Sequence, residues 1–152
     1  MSLMLSCFDI ANYFIWLANE TGSFISNLKL QKLVYYAQAW HLALYGNPLF
    51  EEDFQAWVHG PVVPALYQKY KSFGWQPILE ETVPKLSENI FEFLDEVAEE
   101  YFACDAYELE QMTHAEAPWN WARGDLPLDA PSDAVIKKEW MKEYYGARAQ
   151  ED

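Results

Sequence analysis

The histidines are the side chains of this sequence best suited to acid–base or metal chemistry, because imidazole titrates near neutral pH and binds metal ions. His114 and Glu116 form an H-x-E pattern, in which zinc deaminases use a metal-bound water and a proton-transferring glutamate. The cysteine pair of that site is missing, because Cys7 and Cys104 stand far apart and alone. We therefore predict no metal site, and we expect Glu110 and His114, four residues apart, to contact each other on one helix face.

Two other short patterns resemble parts of known catalytic sites. Ser26 and Lys29 have the S-x-x-K spacing of the penicillin-binding fold, but its K-T-G and S-D-N partners are absent. Tyr67 and Lys71 have Y-x-x-x-K spacing without a glycine-rich loop to bind a dinucleotide. We predict that the chain has no catalytic residue and no cofactor.

An enzyme remains as an alternative interpretation of the same histidines. It would be a hydrolase or transferase that uses His59 or His114 beside a carboxylate. Such a site requires His59, His114 and Glu116 to converge in one pocket.

One long helix is predicted to lie at the centre of the fold, with the other elements packed around it. It runs from Ser26 or Asn27 to Tyr45 and is ended by Gly46. Its apolar residues cover nearly the whole circumference, which is typical of a helix buried on all sides. Its polar residues are then expected to need hydrogen-bond partners, and they are Lys29, Gln31, Lys32, Gln38 and His41.

The remaining segments are predicted to form shorter elements around this helix. Further helices begin near Ser6, Pro64, Ser87 and Asp105, with a short turn at Pro118 and a last helix over residues 132–145. Residues 50–58 favour a short β-strand or hairpin that ends at the Gly60-Pro61 step. The predicted fold is a single mainly α domain over residues 1–152, a compact set of about six helices around a central apolar helix.

Composition restricts the partners of this domain. The net charge of −14 opposes direct binding to nucleic acid and to anionic membranes. The acid is concentrated, because the segment from Glu80 to Glu110 holds eleven acidic residues against the single Lys85. Neither a secretory leader nor a stretch of eighteen apolar residues is recognisable, so we predict a cytoplasmic protein.

The segment from His59 to Pro64 has the most specific local pattern. Its order of Gly, Pro, two valines and Pro predicts a fixed turn that leads into a helix. The turn is either a rigid structural corner or one wall of a pocket lined by Trp57 and His59.

Several segments together resemble a known family. They are Leu28-Lys29-Leu30-Gln31-Lys32-Leu33, Tyr35-Tyr36-Ala37 with Trp40, Gly46-Asn47-Pro48-Leu49-Phe50, Ala56-Trp57-Val58-His59-Gly60-Pro61-Val62-Val63-Pro64, and Thr113-His114-Ala115-Glu116-Ala117-Pro118-Trp119. This order of motifs, over about residues 26–123, resembles the Panacea domain of SocA-like and GepA-like phage-associated proteins.

The resemblance implies an antitoxin, which neutralises a cognate toxin by protein contact or hands it to an ATP-dependent protease as an adaptor. The acidic helix after Ser87 would then mask a basic toxin, or it is only a solvated face. A prophage structural or assembly protein that forms a homo-oligomer is a further alternative. Candidates for a shared core or a partner-binding site are Lys29, Gln31, Lys32, Tyr35, Tyr36, Gln38, Trp40, Trp57, His59, Gly60, Pro61, Thr113, His114, Glu116, Pro118 and Trp119. We expect both Trp57 and Trp119 in the core.

Overall fold

The computed structural model describes residues 5–151 and places one helix at the centre of the other elements. In chain order the elements are α1 (Cys7–Thr21), α2 (Asn27–Tyr45), β1 (Phe54–Trp57), β2 (Gly60–Val62), α3 (Pro64–Tyr70) with a 3-10 turn (Lys71–Phe73), α4 (Glu88–Tyr101), α5 (Ala106–Ala115), α6 (Ala117–Arg123), β3 (Val135–Ile136) and α7 (Lys138–Glu151). The predicted class is confirmed: the fold is mainly α, with a small three-stranded sheet.

Helix α2 is the hub that the sequence predicted. The Ser26 hydroxyl accepts from the Lys29 amide at its start, and Gly46 ends it in the left-handed conformation with φ +80°. Twelve of its 19 residues are buried, and α1, α4 and α7 pack around it. Its last turn departs from the prediction, because His41 is only partly buried and Leu44 is 52% exposed.

The sheet has the strand order β2-β1-β3, with both pairings antiparallel. Strand β1 turns back through Val58 and His59, and Trp57 pairs with Gly60. The expectation that the extended segment ends at Gly60-Pro61 was therefore wrong, because these two residues begin β2. Gly60 has φ +116°, a conformation that favours glycine and lets the tight hairpin close.

The last helix also differs from its predicted bounds. The Ser132 hydroxyl accepts from the Ala134 amide and closes a turn, so it does not cap a helix. Residues 135–136 then pair with β1, and α7 runs from Lys138 to Glu151. Pairing with a strand 80 residues away leaves no local signal, which explains the error.

Helices α4, α5 and α6 complete the fold. Ser87 caps α4, and a reciprocal capping box of Asp105 and Glu108 starts α5, as the sequence predicted. Pro118 lies in the first turn of α6. Within residues 5–151, no helix has both the length and the apolar character of a membrane span.

Candidate functional site

The motif segments come together where α2 meets the hairpin and the α5–α6 corner. The indole nitrogen of Trp119 on α6 donates to the Trp57 carbonyl at 2.9 Å. The Gln31 carbonyl oxygen on α2 accepts from the Val63 amide at 3.1 Å, while its amide group donates to Asn27. Three separated parts of the sequence are thus joined by side chains that the motifs contain.

Glu116 is the centre of a buried hydrogen-bond network. The hydroxyls of Tyr36 and Tyr145 each donate to its Oε1 at 2.7 Å, and Arg148 donates to its Oε2 at 2.8 Å. Glu116 is 6% exposed, and each of these partners is a donor, as an ionised carboxylate requires. Burial, together with the Glu116 charge, raises the pKa of Tyr36 far above its usual range, so the phenol stays protonated.

The ring of Tyr36 extends this network through the core. It stacks on Tyr101 of α4 with centroids 4.1 Å apart, and Tyr35 contacts both Tyr36 and Tyr145 edge to face. Trp40 donates to the Tyr101 hydroxyl at 2.7 Å. Four motif residues, Tyr35, Tyr36, Trp40 and Glu116, therefore bind α2 to α4, α6 and α7.

Lys32 is fully buried beneath the hairpin. Its Nζ donates to the Leu28 carbonyl at 3.2 Å, and burial lowers the pKa of its ammonium from 10.5 to about 8. A Cβ on Gly60 would lie 3.1 Å from Lys32 Cε and 3.2 Å from the Thr113 hydroxyl. The lysine stem and Thr113 thus pack directly against the backbone of Gly60.

Two further motif side chains of α2 form hydrogen bonds with backbone groups. Gln38 donates to the Phe50 carbonyl and accepts from the Leu49 amide, both at 2.7 Å. Lys29 donates to the Phe102 carbonyl and lies 4.6 Å from the centre of the Phe102 ring. Partial burial lowers the pKa of Lys29.

The histidines of the enzyme alternative do not converge on Glu116. His59 is exposed at the hairpin tip, and its Nδ1 lies 2.9 Å from Glu110 Oε1. His114 instead stacks on Trp119 at 4.0 Å, and burial lowers its pKa. Glu110 pairs with His59 because the hairpin tip approaches α5, and its charge also acts on His114. The expected Glu110–His114 contact stays a prediction.

The exposed part of the motif region opens onto a groove of about 450 Å³. We call it the aromatic groove and define it by Leu28, Trp57, His59, Tyr67 and Trp75. The expectation that both motif tryptophans lie in the core holds only for Trp119, which is 1% exposed, whereas Trp57 is partly exposed and meets Tyr67 at 5.1 Å. Trp75 is 76% exposed beside His59, with ring centroids 6.3 Å apart.

Sequence reasoning missed several side chains that support this region. Tyr145 and Arg148 lie on α7, whose helical bounds were predicted too early, so Arg148 fell outside the predicted helix. Arg123 is buried, donates to the Ala56 carbonyl at 3.0 Å and holds the loop carbonyl of Pro127 at 2.8 Å. An arginine at the end of a predicted helical turn was the available signal for it.

The motif region combines buried, hydrogen-bonded side chains with an exposed aromatic groove. Across the part of the chain that the structure describes, no group of three or more His, Cys, Asp or Glu side chains is arranged to hold a metal ion. Pro61 and Pro118 are buried backbone elements of the hairpin and of α6. Of the candidate residues named from the sequence, Trp57 and His59 line the aromatic groove.

Comparison with known proteins agrees with the motif pattern. The model of the family described as "Antitoxin SocA-like, Panacea domain" matches residues 30–120. The antitoxin SocA of Caulobacter vibrioides (strain NA1000 / CB15N) is 31% identical over 110 residues, which are 63% of this chain and 58% of that protein. The chain therefore spans somewhat more than half the length of this curated relative. No solved structure matches this chain. Since the family model covers more than half of the residues, the chain belongs to the SocA-like Panacea domain family.

Proposed function

We propose that this protein is an antitoxin that neutralises a protein toxin by direct contact through the aromatic groove. The supporting observation is how the motif side chains divide. Gln31, Lys32 and Glu116 are buried in contacts within the fold, whereas Trp57 and His59 line the groove. Since the former maintain the scaffold, the groove is a part of the motif region that is open to a partner.

The groove has the composition of a protein-binding surface. Aromatic side chains are enriched among the residues that dominate binding energies at interfaces, and a polar rim commonly surrounds them. Trp57, Tyr67 and Trp75 supply the aromatic surface, and the His59–Glu110 pair supplies a polar rim. The surface therefore fits an apolar segment of the toxin with polar groups on its flanks.

The test is co-expression with the product of the gene adjacent to this one. We expect rescue of growth and co-purification, and we expect Trp75→Ser to weaken both. The matched control is Trp121→Ser, because Trp121 is also exposed but lies on α6 against Trp140. Equal rescue and equal co-purification by the two variants would exclude the aromatic groove as the contact site.

An adaptor role is a finer form of the same proposal. An adaptor would lower the amount of toxin in the cell, provided that an ATP-dependent protease is present. Neutralisation by contact alone would leave the toxin abundant but inactive. Immunoblots of the toxin after synthesis is blocked, with and without this protein, distinguish the two forms. We place both forms in the cytoplasm.

The competing functions predict different experimental results. A hydrolase or transferase would use His59 with Glu110, its actual carboxylate neighbour, and His59→Ala would abolish turnover of a small molecule by the purified protein. A structural or assembly protein would form a stable homo-oligomer without a second protein. Growth rescue by a monomer with no turnover would favour the antitoxin over both.

A further inference from the structure

A second groove lies at the opposite end of α2, between the last turn of α2, helix α4 and the end of α7. It consists of two hollows of about 410 and 350 Å³ that share Phe93 and Glu96. Its floor is apolar, and Leu44 and Tyr45 are 52% and 61% exposed there. We call it the acidic groove and define it by a floor of Trp40, Leu44, Tyr45, Phe93 and Val97 and a rim of Glu92, Glu96 and Glu100.

The rim carboxylates form a regular row. Glu92, Glu96 and Glu100 are four residues apart, so they lie on one face of α4 and span about 12 Å along its axis. All three are exposed, and none forms an ion pair within residues 5–151. The arginine that lines this groove, Arg148, is already paired with Glu116 at 2.8 Å.

We propose that the acidic groove binds a basic amphipathic helix of a partner protein. Its apolar side chains would cover Leu44, Tyr45 and Phe93, and its lysines or arginines would face the three carboxylates. A floor that excludes water gives affinity, while complementary charge speeds and orients the encounter. The row of carboxylates is long enough for two to three turns of such a helix.

Charge selects this occupant over the other candidates. A second copy of the chain would bring two rows of carboxylates together within a protein of net charge −14. Nucleic acid and anionic membranes are repelled for the same reason. A basic helix is the occupant that both neutralises the rim and covers the floor.

This inference is independent of the proposed antitoxin function. Leu28 in the aromatic groove and Leu44 in the acidic groove are sixteen residues apart on α2, about 24 Å along the helix axis. One partner segment of two to three turns does not reach both grooves. Each surface is therefore tested by its own variants.

The probe is a synthetic peptide of about 14 residues, with leucines at i, i+3, i+4 and i+7 positions and lysines elsewhere. A matched peptide carries glutamates in place of the lysines. Titration calorimetry with the full chain should show binding of the basic peptide only, with affinity that falls as salt rises. The combined variant Glu92→Gln, Glu96→Gln and Glu100→Gln should raise its Kd about tenfold or more.

The control variant removes the same charge elsewhere. It combines Glu81→Gln, Asp125→Asn and Asp129→Asn, all of them exposed and outside the groove, and it should change the Kd by less than about twofold. Leu44→Ser should also weaken binding, whereas Leu128→Ser, an exposed leucine elsewhere, should not.

Three results would overturn the inference: no binding of the basic peptide, equal weakening by both charge variants, or self-association of the chain that Leu44→Ser abolishes. Binding of the peptide without growth rescue by co-expression would refute the proposed antitoxin function alone. Rescue without peptide binding would refute the acidic groove alone.

Discussion

The Tyr36 hydroxyl donates a hydrogen bond to Oε1 of Glu116 at 2.7 Å, joining two residues that are 80 positions apart. The Tyr145 hydroxyl donates to the same oxygen. Helices α2 and α7 and the α5–α6 corner therefore meet at one buried carboxylate. Because each of its hydrogen-bond partners donates, loss of the carboxylate leaves buried donors without an acceptor.

Glu116→Ala is expected to destabilise the fold by about 2–5 kcal/mol, because two buried phenols lose their acceptor. Tyr36→Phe should cost only about 1 kcal/mol, since Tyr145 and Arg148 still serve the carboxylate. Urea unfolding followed by circular dichroism measures both values.

The coupling between the two residues provides the control for this prediction. Once Glu116 is replaced by alanine, adding Tyr36→Phe should cost little or restore stability, because it removes an unsatisfied donor. Additive losses in the double variant would show that the Tyr36–Glu116 hydrogen bond does not carry the effect.

Gly60→Ala should destabilise the protein more than Gly124→Ala. Both glycines have positive φ, +116° and +61°, so alanine is strained at each. At Gly60 the new methyl group also meets Lys32 Cε at 3.1 Å and Thr113 Oγ1 at 3.2 Å, whereas nothing lies within 4 Å at Gly124. We expect the crowding to add about 1–3 kcal/mol, measured as the difference between the two unfolding free energies. Equal losses would contradict the packing of Lys32 against the hairpin.

Burial of Lys32 should make the protein more stable as the pH rises above 8. Its folded pKa of about 8 lies below the ordinary 10.5, so the unfolded chain binds more protons between these values and stability increases with pH. The contribution of Lys32 between pH 7.5 and 9.5 is about 2 kcal/mol. The buried Cys7 thiol opposes it in part, because burial raises its pKa from 9.0 to about 12 and its stabilising effect is lost as the pH rises through 9. Above pH 10 the buried tyrosines oppose this gain in stability. Their pKa values are raised in the folded protein, so their phenols ionise more readily in the unfolded chain and rising pH favours unfolding.

Lys32→Met is the control for this pH dependence, because it keeps most of the length of the side chain and removes the titrating group. The variant should lack the gain in unfolding free energy between pH 7.5 and 9.5. The same gain in both proteins would mean that another group causes it.

The features that the sequence predicted are those with local causes. Ser26 and Gly46 bound α2 because caps act within one turn, and its all-round apolar pattern predicted its central place. The Asp105 capping box likewise predicted the start of α5. Such signals lie within a few residues of the element that they define.

The features that were missed depend on distant pairing. Ser132 has the form of a helix cap, but Ile136 pairs with Phe54 and delays α7 to Lys138. The Glu110–His59 contact at 2.9 Å was missed, because the two residues are 51 positions apart in sequence. The aromatic groove depends in the same way on Trp75, which no motif contains and which only the folded chain places beside His59.

His59 and His114, both motif residues, should differ sharply when each is replaced by alanine. The His59 side chain is 55% exposed and makes a surface contact with Glu110, an interaction that contributes at most about 1 kcal/mol to stability. His114 stacks on the buried Trp119 at 4.0 Å, so its removal loses aromatic packing and leaves a gap, at a cost of about 1–3 kcal/mol. His59→Ala should instead weaken toxin co-purification, because His59 lines the aromatic groove. Chemical unfolding and co-purification of the two variants distinguish a residue that stabilises the fold from a residue that contacts the toxin. A His59→Ala protein that unfolds as easily as His114→Ala, and still retains the toxin, would contradict the role of His59 as a contact residue.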